Sequence, residues 1–225
     1  MELVPRLHWI AGRASNIYIW IAQSGLILAD TGSPGDAKKI AGYIGDIGYQ
    51  PTDISTIMIT HADYDHAGGA AYLQSISGAT IFAGTQTSDL LLKGMSPKHL
   101  PPILQSLSNI FVRYSPIPQP AIKTIEDREF VDDLGYWQAL ETPGHSPDHF
   151  AFCSSIHGIL IAGDALSTRG GSINIGRKFL TGDQERANDS ARRLLELTPG
   201  VIACGHGTPT KDHNAGDLMT LYQTL

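Results

Sequence analysis

The chain has 225 residues, enough to bury a full core as one large domain or two closely fused halves. Its net charge of −6, with Lys and Arg scattered along the sequence, gives no electrostatic footprint for nucleic acid. No stretch approaches the roughly 20 apolar residues that span a bilayer, and the N-terminus lacks the basic-then-apolar form of a signal peptide. The expectation is a cytoplasmic single domain over residues 1–225 that acts on a small molecule, with no nucleic acid and no membrane as partner.

The first thirty residues alternate in the strand manner: Leu7 and Trp9, then Ile17, Ile19 and Ile21, then Leu26 and Leu28. Gly12 and Ser24-Gly25 punctuate them, so the chain opens as an antiparallel meander ending in Leu28-Ala29-Asp30-Thr31-Gly32. Asp30 at that strand end fits either a partner for a ligand histidine or a simple turn residue. Ser33-Pro34 starts a helix with Ala37, Ile40, Ala41 and Ile44 on one face, closed by Gly45 and Gly48.

The apolar run 54–59 then enters Thr60-His61-Ala62-Asp63-Tyr64-Asp65-His66, four potential metal ligands within six residues. Imidazole nitrogens and carboxylate oxygens are the ligands of hydrolytic zinc and iron sites, and so many together are costly to fold unless a cation neutralises them. A helix from Ala70 to Gly78 and a strand over 79–83 follow, so helices pack on a sheet. Residues 85–120 are apolar but interrupted by Pro97, Pro101, Pro102, Pro116, Pro118 and Pro120, which predicts one or two short helices in an insertion that serves as a lid, a homodimer contact or ordinary core.

Alternation resumes at Ile122 and Ile125 and over 136–140, leading into Thr142-Pro143-Gly144-His145-Ser146-Pro147-Asp148-His149. Strands over 150–153 and 158–162 end in Gly163-Asp164, a helix begins near Asp183, and the strand 201–204 enters Gly205-His206 before a terminal helix from about Asn214. Four strand-like runs therefore each end in candidate ligands: His61 to His66, His145, Asp164 and His206. Glycine stands directly before three of them, where it lets the backbone turn a short side chain over a sheet edge. Cys153 and Cys204 lie in or beside apolar strands and are read as small buried residues rather than a disulfide, with Cys204 close enough to His206 to line the site.

This pattern resembles the metallo-β-lactamase superfamily, and the resemblance covers essentially the whole chain. It implies an α/β fold, an αββα sandwich of two mixed β-sheets flanked by helices. The family motif His-x-His-x-Asp-His, then His, a bridging Asp and Gly-His, maps onto His61, Asp63, Asp65, His66, His145, Asp164 and His206. By that resemblance His61, Asp63 and His145 hold one divalent metal, and Asp65, His66 and His206 hold another, with Asp164 bridging. Zinc is the first expectation, iron or manganese the alternatives. Asp63 departs from the pattern by replacing a histidine, which makes the site harder and more anionic.

The implied chemistry is hydrolysis of a lactone, ester or thioester, with Asp65 orienting the nucleophile and moving its proton. His149 is a candidate catalytic residue, as a substrate-side hydrogen-bond donor or behind a ligand, and reads equally as a strand-start histidine facing the helix layer. Glyoxalase-II-like thioesterases are similar, but the few residues after His206 leave no room for their helical glutathione-binding domain. β-Lactam hydrolysis and a mononuclear-iron, persulfide-dioxygenase-like oxidation are the alternatives. His8, His99, His157 and His213 have no comparable context and read as surface or core histidines.

Overall fold

The computed structural model describes every residue except 112, 132–135, 177, 212–214 and 225, and describes 107–111 and 215–217 by their backbone alone. The chain divides into two compact units, Met1–Ser96 with Leu107–Thr124, and Pro97–Ser106 with Ile125–Leu225.

The first unit is built on a mixed seven-stranded sheet. Its strands are β1 (Glu2–Val4), β2 (Leu7–Ala11), β3 (Asn16–Ala22), β4 (Gly25–Ala29), β5 (Ile54–Met58), β6 (Thr80–Gly84) and β7 (Ile122–Ile125), in that spatial order. The opening meander is antiparallel, whereas β4, β5 and β6 pair in parallel. Parallel neighbours need crossovers, here α1 (Ala37–Asp46) and then α2 (Tyr64–Ala67) with α3 (Ala70–Ser77). Ala37, Ile40 and Ile44 of α1 and Ala70 and Leu73 of α3 share a core with Ile17, Ile19, Leu26, Leu28, Ile57 and Ile81. Each fully buried aliphatic chain contributes about 1.5–3 kcal/mol relative to exposure. Both helices stop near the expected glycines: α1 runs through Gly45 to Asp46, and Gly78 caps α3 in the left-handed region at φ 74°.

The insertion contains two short helices, α4 (Thr85–Leu91) and α5 (Pro102–Phe111), as its prolines require. From its far end the buried Tyr114 returns to the first unit, its hydroxyl 3.0 Å from the carbonyl oxygens of both Ala62 and Met95. Ala62 lies inside the His/Asp stretch, so the insertion pins the backbone of that loop.

The second unit carries a four-stranded mixed sheet of β8 (Gln138–Glu141), β9 (Phe150–Ser154), β10 (Ile159–Gly163) and β11 (Val201–Cys204), ordered β11-β10-β9-β8. Helix α6 (Gln184–Leu195) is capped by Asp183, whose carboxylate accepts from the Arg186 amide at 3.1 Å. Its face of Ala191, Leu194 and Leu195 packs on Leu140, Leu160, Ala162 and Ile202, joined by Leu218 of α7 (Ala215–Thr224).

Glycines shape the loops after these strands, with one departure from expectation. Gly144 and Gly163 adopt φ 142° and 51° and turn the chain directly before His145 and Asp164. Gly205 does not have a positive φ; at that loop the left-handed residue is Gly207, at 92°, after the histidine. A side chain on Gly207 would meet the Thr168 backbone at 2.4 Å, so the turn falls where two loops touch.

Both cysteines are free and buried, as read from the sequence, but Cys204 is fully enclosed and lines no accessible surface. Burial, and then the negative charge of Asp164, push its thiol far up, and burial pushes Cys153 up as well. Two outcomes follow from this packing. Thiol reagents at pH 8 are expected to leave the native protein almost unlabelled and to titrate both cysteines after denaturation; rapid native labelling of Cys204 would contradict its burial. Gly144→Ala places a Cβ 2.3 Å from the Ala187 backbone nitrogen. It should cost at least about 1–3 kcal/mol, read by urea unfolding.

Candidate metal centre

In the first unit the loop after β5 is arranged by one carboxylate. Asp30 leaves β4 with φ 56°, a left-handed conformation that Asp tolerates better than most residues. That turn sends its side chain, 2% exposed, across to the neighbouring strand end. Oδ1 accepts the Thr60 backbone N–H at 2.8 Å, and Oδ2 accepts the Thr60 hydroxyl at 2.8 Å. Oδ2 also lies 2.8 Å from Nδ1 of His66.

Because a carboxylate only accepts, His66 must donate from Nδ1, which leaves the lone pair of Nε2 for a ligand. The same reasoning extends to His61. Its Nδ1 is 3.0 Å from Thr60 Oγ1, whose proton is committed to Asp30, so that nitrogen donates and Nε2 again carries the lone pair. The turn of Asp30, left open by the sequence between two readings, is thus the partner of a histidine.

The other contacts hold the loop itself. The His66 carbonyl accepts from Thr31 through both its amide, at 2.7 Å, and its hydroxyl, at 2.8 Å. Ser15 donates its hydroxyl to the Asp65 carbonyl. The rings of His61 and His66 sit 4.2 Å apart between centroids, and Nε2 of His61 faces Asp63 Oδ2 at 3.3 Å. With Nδ1 of His61 already donating, that contact sets an imidazole lone pair against a carboxylate oxygen, an arrangement that a cation relieves. Asp65 lies in the same turn, at half-buried depth.

In the second unit Asp164 stands between two histidines. Its Oδ2 is 3.1 Å from Nε2 of His206 and 3.6 Å from Nε2 of His145. The loop of His145 is tied to the start of α6: the Gly182 amide donates to the His145 carbonyl at 3.0 Å and the Asp183 amide to Gly144 at 2.9 Å. The loop of His206 is tied to the loop of Asp164 through Gly205 N–H to Gly163 O at 2.7 Å and Thr168 N–H to His206 O at 3.1 Å.

His149 is fully buried, and its two ring nitrogens meet protein groups. Nε2 accepts the Asp164 backbone N–H at 2.9 Å, and Nδ1 therefore donates to Thr142 Oγ1 at 2.8 Å. Of the roles open in the sequence, these contacts do not fit a donor to substrate: His149 is buried and holds the backbone of Asp164.

Three further residues had no signal in the sequence. Thr60 relays Asp30 to His61, and only its place at the end of an apolar strand sets it apart. The ring of His99, which its sequence context does not set apart, lies 4.9 Å from that of His145. Arg169 reaches Nδ1 of His206 with a guanidinium nitrogen at 2.9 Å. His213 falls outside the described residues.

No helix among the described residues is long and apolar enough to cross a membrane. The model of the metallo-beta-lactamase superfamily matches residues 10–206. The probable metallo-hydrolase YflN of Bacillus subtilis is 24% identical over 100% of this chain and 92% of its own length. The hydroxyacylglutathione hydrolase of Albidiferax ferrireducens is 28% identical over 84% of this chain, which spans 61% of that protein. Among solved structures, BJP-1, a subclass B3 metallo-beta-lactamase of Bradyrhizobium japonicum, superposes with a TM-score of 0.72 at 21% identity, covering 100% of this chain and 89% of its own. That identity speaks for the fold. Two mixed sheets flanked by helices, His/Asp loops at the strand ends and a family match over residues 10–206 place the chain in the metallo-beta-lactamase superfamily, to which it belongs.

Proposed function

We propose that the chain is a metal-dependent hydrolase of a lactone, carboxylic ester or thioester. His61, Asp63, Asp65 and His66 of the first unit and His145, Asp164 and His206 of the second would serve one centre of two divalent ions. The observation that carries this reading is Asp164 Oδ2, held between the Nε2 atoms of two histidines, the position of a bridging carboxylate. The matching pair of His61 Nε2 and Asp63 Oδ2 at 3.3 Å supports Asp63 as a ligand in place of the family's histidine. Bound divalent ions supply Lewis acidity and bring the pKa of water toward neutrality.

The remaining work falls to the chain. Asp30 and Thr60 keep both histidines of the motif with Nε2 unprotonated. His149 and Thr142 hold the Asp164 backbone, so that its carboxylate keeps its place between His145 and His206. Asp65, in the same turn as the proposed ligands, would orient the attacking water, accept its proton and pass it to the leaving oxygen or sulfur.

Elemental analysis of purified protein is expected to find two divalent ions per chain. A chelator should remove hydrolysis of a panel of lactones, esters and thioesters, and added zinc or manganese should restore it. Alanine at His61, His66, Asp164 or His206 should lose metal and activity together; full activity in any of these variants after chelation would end the proposal. One iron per chain with oxygen uptake on a thiol substrate would instead favour the oxidoreductase reading. Asp30→Asn keeps the shape but can present an N–H to His66. It should lower metal affinity by about 10–100-fold, measured by competition with a chromophoric chelator.

A further inference from the structure

Residues 97–106 of the insertion belong to the second unit and form one wall of a cavity there. The Gln105 side chain of α5 folds back over the segment before it, and its Oε1 accepts the amides of His99 and Leu100 at 2.9 and 3.1 Å. The segment held in this way seats on the loop before α6 because Gly182 has no side chain; a Cβ there would lie 3.0 Å from that of His99. Gly182 donates in turn to the His145 carbonyl at 3.0 Å. Between the segment and the start of α6 lies a cavity of about 420 Å³, whose charged lining is Lys98, Asp183 and Arg186.

The fold has no use for the two cations. Lys98 and Arg186 are exposed at the cavity walls, and neither side chain has an ion pair or hydrogen bond among the described residues. Arg186 is the third residue of α6, where the positive end of the helix dipole disfavours a cation. The helix is already capped by the Asp183 carboxylate, which accepts from the Arg186 backbone amide at 3.1 Å. Two cations against one carboxylate leave a single positive charge, which suits a monoanion. A carboxylate matches the guanidinium fork with its two oxygens and accepts from the ammonium as well. A dianionic phosphate would face Asp183 with one charge unbalanced.

We propose that this cavity binds a carboxylate at the far end of the substrate's acyl chain, held by Lys98 and Arg186, and that the insertion is a wall of the substrate site. The proposal rests on the hydrolase reading above and narrows it to half-esters and half-thioesters of short dicarboxylic acids. The chain must be short because the His99 ring of the cavity wall stands only 4.9 Å from the ring of His145, a proposed metal ligand.

Metal-loaded protein is assayed on monoethyl glutarate and ethyl pentanoate, which differ only in a carboxylate where the other has a methyl group. Wild type should favour the charged ester at least about tenfold in kcat/KM, the worth of one charge-assisted hydrogen bond. Lys98→Gln and Arg186→Gln should each raise KM for monoethyl glutarate about tenfold, keep kcat within about twofold and leave ethyl pentanoate as it was. Both variants should melt no lower than wild type. Arg186→Lys should recover part of the loss, since it restores the charge without the fork. Arg192→Gln removes a charge from the same helix outside the cavity and should change neither ester. No preference in wild type, an unchanged KM in either glutamine variant, or an equal effect of Arg192→Gln would overturn the proposal.

Failure of the hydrolase reading is registered separately, by inactivity of the loaded protein toward the whole panel of lactones, esters and thioesters. If neither of the two esters is hydrolysed, calorimetric titration of glutarate decides on the cavity by itself. Binding about tenfold weaker in Arg186→Gln than in wild type supports the carboxylate site. Equal affinity, or no binding to wild type, overturns it.

Discussion

The first half of the proposed ligand set depends on a single buried carboxylate. Asp30 accepts two bonds from Thr60 and one from His66, and through the Thr60 hydroxyl it also determines which nitrogen of His61 is protonated. One side chain thus sets the tautomers of two histidines whose Nε2 atoms must both be bare to bind a cation. Reaching that position requires φ 56° at Asp30, a conformation that costs free energy in an L residue and persists because the surrounding strand ends over-determine it. The Asp30 amide donates to the Met58 carbonyl at 2.9 Å, so the strained residue remains part of the β4–β5 pairing that carries the loop.

The second half reaches the same end with the roles exchanged. There the proposed ligand is the carboxylate of Asp164 and the supporting group is a histidine. His149 Nε2 accepts the Asp164 amide and its Nδ1–H donates to the Thr142 hydroxyl. Each half therefore uses a threonine hydroxyl beside a buried ionisable group, Thr60 in one and Thr142 in the other. A hydroxyl can donate and accept at once, which lets it close such a chain without adding charge to a crowded anionic loop.

What the sequence revealed and what it hid divide along physical lines. Candidate ligand positions stood out because a His or Asp directly after an apolar strand is chemically conspicuous, and because the strand and helix periods fix where each sheet edge must lie. The glycine pattern was readable at Gly144 and Gly163, whose turns are local. It failed at Gly205, where the left-handed residue is set by a tertiary approach of Thr168 to Gly207 that no local signal carries. The same limit explains His99 and Arg169. Each acts through a residue distant in sequence, and nothing in its own neighbourhood distinguishes it from an ordinary loop residue. Asp30 and His149 were intermediate: their residue types raised the right question, and only the hydrogen bonds of the fold answered it.

Asp63 gains its meaning from these constraints. A histidine at that position would need a partner for its second ring nitrogen, as His61 has Thr60 and His66 has Asp30. A carboxylate needs no such partner to present a lone pair, since all of its lone pairs are available whatever the surrounding donors do. The loop can therefore offer a third ligand group without a third supporting residue. The cost is electrostatic: Asp63 adds a negative charge close to Asp65, and like charges in one turn repel unless a cation lies among them. The half-buried setting of both carboxylates leaves them reachable by solvent, which limits that repulsion when no cation is bound. Such a loop folds around its own hydrogen bonds, and the proposed cations would supply its charge balance rather than its shape.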